Sequence, residues 1–122
     1  MTTSRRQRRV AEFIKEELNE LIERQMDDPR LEWVTITDVE ATPDLQVARV
    51  YFRVIGEPDR RMEALDGLQH AKGYLRRELA AKLKLRLVPD LLFFHDDSPD
   101  LGQHIEDMLE KLHKDDAGHA DA

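Results

Sequence analysis

The sequence predicts an α+β fold in one domain, a three-stranded sheet covered by helices on one face. Two observations predict it. Apolar residues recur at helical spacing in separate segments, and between these segments lie runs with the alternation and β-branched content of strands. A chain of 122 residues holds one core of this kind. A three-stranded sheet cannot bury its apolar face without helices to cover it.

Val10, Phe13, Ile14, Leu18, Leu21, Ile22 and Met26 form the first apolar stripe, so a helix is expected from about residue 4 to 26. Ser4 caps it, and "DDPR" stops it at Pro29, because a residue before proline is pushed out of the helical region. Arg5, Arg6, Arg8 and Arg9 then fall in the first turns, where the helix dipole disfavours cations. Cations placed against that preference suggest an outside partner.

Two strands follow, "WVTITDVEAT" and "LQVARVYFRVIG", joined through Pro43 and Asp44 into an antiparallel hairpin. In the second, Ala48, Val50, Phe52 and Val54 alternate with Arg49, Tyr51 and Arg53, giving one buried face and one that carries cations and a phenol. In the first, Val34 and Ile36 share a parity that Val39 lacks. A bulge near Thr37 or Asp38 reconciles them.

Met62, Leu65 and Leu68 open the next helix, and Leu75, Leu79 and Leu83 continue it after a break at Ala71, Lys72 and Gly73. The reading is helix, kink, helix. A glycine inside a helix costs about 1 kcal/mol relative to alanine, so Gly73 needs a reason to be there. "LRLVPDLLFFHDD" reads as a third strand, with Pro89 at an edge or bend. Ser98 as cap and Pro99 at the first helical position then start a last amphipathic helix through Leu112. The expected boundaries are a domain at 1–114 and a disordered acidic tail at 115–122.

The net charge is −7, yet the positive charge is gathered in two places. One is the arginine cluster at the start of the first helix. The other is Lys72, Arg76, Arg77, Lys82, Lys84 and Arg86, set against the single acid Glu78 between residues 70 and 89. If the fold brings the two together, they form one basic surface on an acidic body. Arg49, Tyr51 and Arg53 are a weaker candidate surface on the outer sheet face.

The rest of the inventory excludes several classes. There is no cysteine, hence no disulfide framework and no thiol chemistry. No apolar run approaches the roughly 18 residues of a membrane span, and the first thirty residues lack a signal-peptide core, so a cytoplasmic protein is expected. The histidines and carboxylates have no metal-ligand spacing, and no phosphate-binding or nucleophile motif is present. His95, Asp96 and Asp97 read as a structural cluster at a strand end. Neither catalysis nor a cofactor is expected, and the apolar helix stripes read as core, which makes a monomer the expectation.

The element order is that of a KH domain of the bacterial type (type II), with "AKGY", residues 71 to 74, where such domains carry a backbone-clamping G-x-x-G. One glycine of the pair is missing. With "RRQRRVAEFIKEELNELI", "DPRL", "HAKGYLRRELAAKLKLRLVPDLLFFHDDS" and "GQHIEDMLEKL" in this order, the chain resembles the ribosome-binding factor A family over residues 4 to about 112. That resemblance implies a non-enzymatic assembly factor that binds the immature 30S small subunit through 16S rRNA and assists late maturation, including in the cold. The RNA-binding residues are expected to be Arg5, Arg6, Arg8, Arg9, Lys72, Gly73, Arg76, Arg77, Lys82, Lys84 and Arg86. Gly73 would let the backbone approach a phosphate or a neighbouring helix. The rival reading is a protein-protein interaction adaptor whose basic helices meet an acidic partner.

Overall fold

The computed structural model describes residues 3–56, 59–83, 85 and 87–97. The elements run helix α1 (Arg5–Arg24), strand β1 (Val34–Ala41), strand β2 (Val47–Val54), helix α2 (Asp59–Lys82) and strand β3 (Asp90–His95). The expected last helix from Ser98 and the tail at 115–122 lie outside the described residues, as do Lys84 and Arg86.

The serine cap of α1 is half of a reciprocal pair. The Gln7 amide donates to Ser4 Oγ at 3.1 Å, and the Ser4 amide donates to Gln7 Oε1 at 2.9 Å. Gln7 Nε2 then donates to the Ala41 carbonyl at 2.9 Å, fastening the start of α1 to the end of β1. After Gln25 closes the helix, Asp28 caps a short 3-10 turn over Pro29–Leu31.

The sheet order is β1-β2-β3, with β1 and β2 antiparallel and β2 and β3 parallel. The pairing of β1 slips between Ile36 and Asp38, so the expected bulge is present. It lets Ile36 and Val39 both enter the core although they differ in parity. Thr37, the extra residue, donates its hydroxyl to Asp96 Oδ2 at 2.6 Å. The inward side chains Ile36, Ala48, Val50, Phe52, Leu91 and Phe93 join the apolar stripes of both helices in one buried cluster. Parallel pairing of β2 with β3 requires a long crossover, and α2 is that crossover.

The expected break in the second long helix is absent, because α2 runs uninterrupted from Asp59 to Lys82. Its buried positions Ala64, Leu68, Ala71, Leu75 and Leu79 follow steps of four, three, four and four. Ala71 fills the gap that looked like an interruption: it belongs to the stripe but is too small to announce it. Gly73 lies on the exposed side, and a Cβ built there meets nothing within 4 Å. The close approach occurs at Gly67, where a Cβ would sit 3.0 Å from both Arg30 Cβ and Leu31 Cδ2.

Candidate nucleic-acid interface

The first turn of α1 contains no acid, and Arg5, Arg6, Arg8 and Arg9 are all exposed. None of the four makes an ion pair among the described residues. Helical periodicity divides them. Arg6 and Arg9 lie on the flank of Phe13 and Glu17, the side on which α2 packs. Arg8 lies on the flank of Asn19, toward β1.

Helix α2 runs antiparallel to α1. Tyr74 Oη donates to Gln25 Oε1 at 2.8 Å, and eight residues later Lys82 Nζ reaches Glu17 Oε2 at 2.7 Å. The end of α2 therefore lies beside Glu17, and the chain that leaves it runs on toward the start of α1. A hollow of about 260 Å³ there is bordered by Arg6, the hairpin turn at Pro43–Gln46, Leu85 and Leu87. Arg6 is the one cation among its described lining residues, and the chain that follows α2 borders it through Leu85 and Leu87. The hydrogen bond that Lys82 donates to the Glu17 carboxylate holds it above the ordinary lysine value, so it is fully charged at neutral pH.

Farther along α2 the cations divide by role. Lys72 Nζ lies 3.4 Å from Asp90 Oδ1. Arg76 spends its guanidinium on the main chain, with Nη2 donating to the Val88 carbonyl at 3.0 Å and Nε to the Pro89 carbonyl at 3.3 Å. It anchors the segment that leads into β3. Arg77 is exposed without an ion-pair partner among the described residues, and Gly73 shares its outward face. Of the expected set, Arg5, Arg6, Arg8, Arg9 and Arg77 thus present uncommitted charge. Lys72, Arg76 and Lys82 are already engaged.

The outer sheet face is more neutral than its sequence suggests. Arg49 pairs with Glu40 at 3.4 Å and Arg53 with Asp96 at 3.9 Å, while Tyr51 packs against Phe94 with ring centroids 5.8 Å apart. His95 Nδ1 is 2.7 Å from Asp97 Oδ1, which also meets Arg61 at 3.3 Å. The described residues contain no group of three or more His, Cys, Asp or Glu able to hold a metal ion. No helix among them is long and apolar enough to cross a membrane. Sequence reasoning missed Gln7 and Gly67. Serine followed three residues later by glutamine was a legible capping signal, whereas Gly67 had no local mark.

The fold and this arginine-bearing end define a small α+β protein with a mixed three-stranded sheet and a segregated basic surface. The family model for ribosome-binding factor A matches residues 6–109. The chain belongs to the ribosome-binding factor A family. It is 49% identical over 107 residues to ribosome-binding factor A of Desulfatibacillum aliphaticivorans, covering 88% of this chain and 87% of that one. The crystal structure of ribosome-binding factor A from Thermus thermophilus superposes with a TM-score of 0.67 at 30% identity, covering 76% of this chain and 99% of that one. A homology model of the Thermus thermophilus factor, fitted into the cryo-EM map of a 30S complex, is similar with a TM-score of 0.58 at 31% identity, covering 69% and 88%.

Proposed function

We propose that this protein is a monomeric, non-catalytic assembly factor of the cytoplasm. In this reading it binds the immature 30S subunit through 16S rRNA and assists its late maturation, including in the cold. The observation that carries this reading is the group of exposed arginines Arg5, Arg6, Arg8 and Arg9 at the start of α1, none in an ion pair among the described residues, with Arg77 likewise exposed on α2. The fitted 30S complex of the Thermus thermophilus relative supports it. The mixed sheet is compatible with a KH-like domain, but the unbroken α2 carries Gly73 on its outer face and not in a loop between two helices, so the proposed RNA contact rests on the arginines and not on a glycine clamp.

Arg6, Arg9 and Arg77 supply phosphate contacts without first breaking an internal pair. Phosphate contacts fix position and orientation but carry no base identity, so placement on the subunit comes from shape. The acidic remainder of the surface repels rRNA and limits the orientations in which the protein docks.

Co-sedimentation of the protein with purified small subunits at increasing salt tests the reading. Association should fall steeply with salt, by a log-log slope of roughly 0.7 to 0.9 for each phosphate neutralised. The triple variant Arg6→Glu, Arg9→Glu, Arg77→Glu should fold normally and lose association. Undiminished association of that variant would overturn the assigned surface.

A further inference from the structure

The far end of α1 carries a second surface of opposite charge. A groove of about 750 Å³ lies between the last turns of α1, the segment from Asp27 to Leu31, and the start of β1. Ile22, Leu31 and Val34 are buried in its floor, and Met26 is half-buried beside them. Its rim carries Glu23, Asp27 and Glu32, all exposed, while Asp28 is held by the Arg30 guanidinium at 2.8 Å. Among the described residues, no lysine, arginine or histidine lines it.

Trp33, the single tryptophan of the chain, stands in this rim with 58% of its surface exposed. Its backbone has φ 69°, and its carbonyl accepts from the Ile55 amide at 3.3 Å, which holds the residue at the strand start. The ring makes no aromatic contact among the described residues. Glu23 also sits in the last turn of α1, where the helix dipole deepens the negative field. Arg24 of that turn is turned to Glu20 at 3.5 Å and is not part of the groove.

We propose that this groove docks a lysine- and arginine-rich peptide segment of a partner protein. The aliphatic stems of such a segment would lie on Ile22, Met26, Leu31 and Val34, leaving the charged heads to Glu23, Asp27 and Glu32. One cation would stack on the Trp33 ring, drawn by the negative face of its π-system. Nucleic acid is disfavoured here, because a phosphate would face three carboxylates and no lining cation. The groove is separated from Arg9 by some fourteen residues of α1, about 21 Å along its axis. The proposal does not depend on the rRNA reading.

Trp33 supplies its own test. The full chain is titrated with a short peptide of lysine and arginine, and tryptophan emission is followed, with an all-glutamate peptide and an oligouridylate as comparators. A saturable change with the cationic peptide alone is expected. It should weaken about tenfold or more in Glu23→Gln, Asp27→Asn, Glu32→Gln. It should be little changed in Glu12→Gln, Glu16→Gln, Glu63→Gln, which removes the same charge elsewhere. No saturable change, or equal weakening in both variants, overturns the proposal; a preference for the oligouridylate assigns the groove to RNA instead. Undiminished subunit association of the Arg6→Glu, Arg9→Glu, Arg77→Glu variant with the peptide response intact would fault the rRNA surface alone.

Discussion

The carboxamide of Asn19 takes both backbone groups of Ile36. Nδ2 donates to the Ile36 carbonyl at 3.0 Å, and the Ile36 amide donates to Oδ1 at 2.8 Å. Strand β1 is an edge strand, and Ile36 is the residue before its bulge, so a helix side chain completes the pairing that a fourth strand would supply. Asn19→Ala strands both groups and should cost about 1–3 kcal/mol. The midpoint of urea unfolding should fall with its slope unchanged; an unmoved midpoint would mean that water replaces the amide without loss.

The two glycines of α2 should respond in opposite directions to alanine. At Gly67 the new methyl meets Arg30 and Leu31 at 3.0 Å, and Leu31 is 3% exposed, so there is little room to yield. Overpacking of about 1–3 kcal/mol outweighs the gain in helix propensity. At Gly73 the methyl enters open space and should stabilise by about 0.5–1 kcal/mol. Thermal unfolding reads both. A more stable Gly73→Ala that binds small subunits less well would show that the space is kept for a partner.

Neighbouring arginines should separate stability from binding. Arg76→Ala removes two charge-assisted bonds to the Val88 and Pro89 carbonyls and should destabilise by about 1.5–3 kcal/mol. Arg77→Ala should leave unfolding within about 0.5 kcal/mol of the parent and weaken subunit association instead. Denaturation and co-sedimentation on both variants check the division; an Arg77→Ala that unfolds early while binding normally would reverse it.

Asp28 makes the pH response of the Pro29–Leu31 turn one-sided. Hydrogen bonds from the Arg30 side chain and then from the Arg30 amide hold its carboxyl below the ordinary aspartate value. A depressed folded-state value contributes stability that is complete above the unfolded-state value and is lost as pH falls through the folded one. Asp28→Asn should therefore be less stable than the parent at neutral pH, with the gap closing only in acid below the ordinary aspartate range. Urea midpoints of the pair across that range test it; a gap that stays constant in acid would assign the effect to shape and not charge.

Elements with strong periodicity were legible in the sequence: the α1 stripe, the hairpin, and the bulge, which shows as the parity conflict between Ile36 and Val39. The continuity of α2 was not, since the buried Ala71 is too small to mark an apolar stripe and Gly73 looks like a break in any sequence. The role of Arg76 was hidden for a different reason. Its partners are main-chain carbonyls twelve and thirteen residues on, and a carbonyl has no letter in the sequence. Gly67 likewise depends on Arg30 and Leu31, neighbours that only the tertiary fold supplies. The concentration of charge was visible, but which cations stay uncommitted depended on Asp90, Glu17 and the connector before β3.

The parallel seam between β2 and β3 also sets an order of events as the chain folds. Val50 faces Val39 across the hairpin and Phe93 across the seam, so the second partner must close a loop roughly four times longer. Each doubling of a flexible loop adds about 0.6 kcal/mol of closure entropy, and the seam yields no contact until that is met. Once α2 is wound, its 24 residues become a strut about 36 Å long that delivers β3 without a free search. The hairpin and α1 are then the natural nucleus. The seam closes last, and mutations in β3 should speed unfolding while leaving the folding rate nearly untouched.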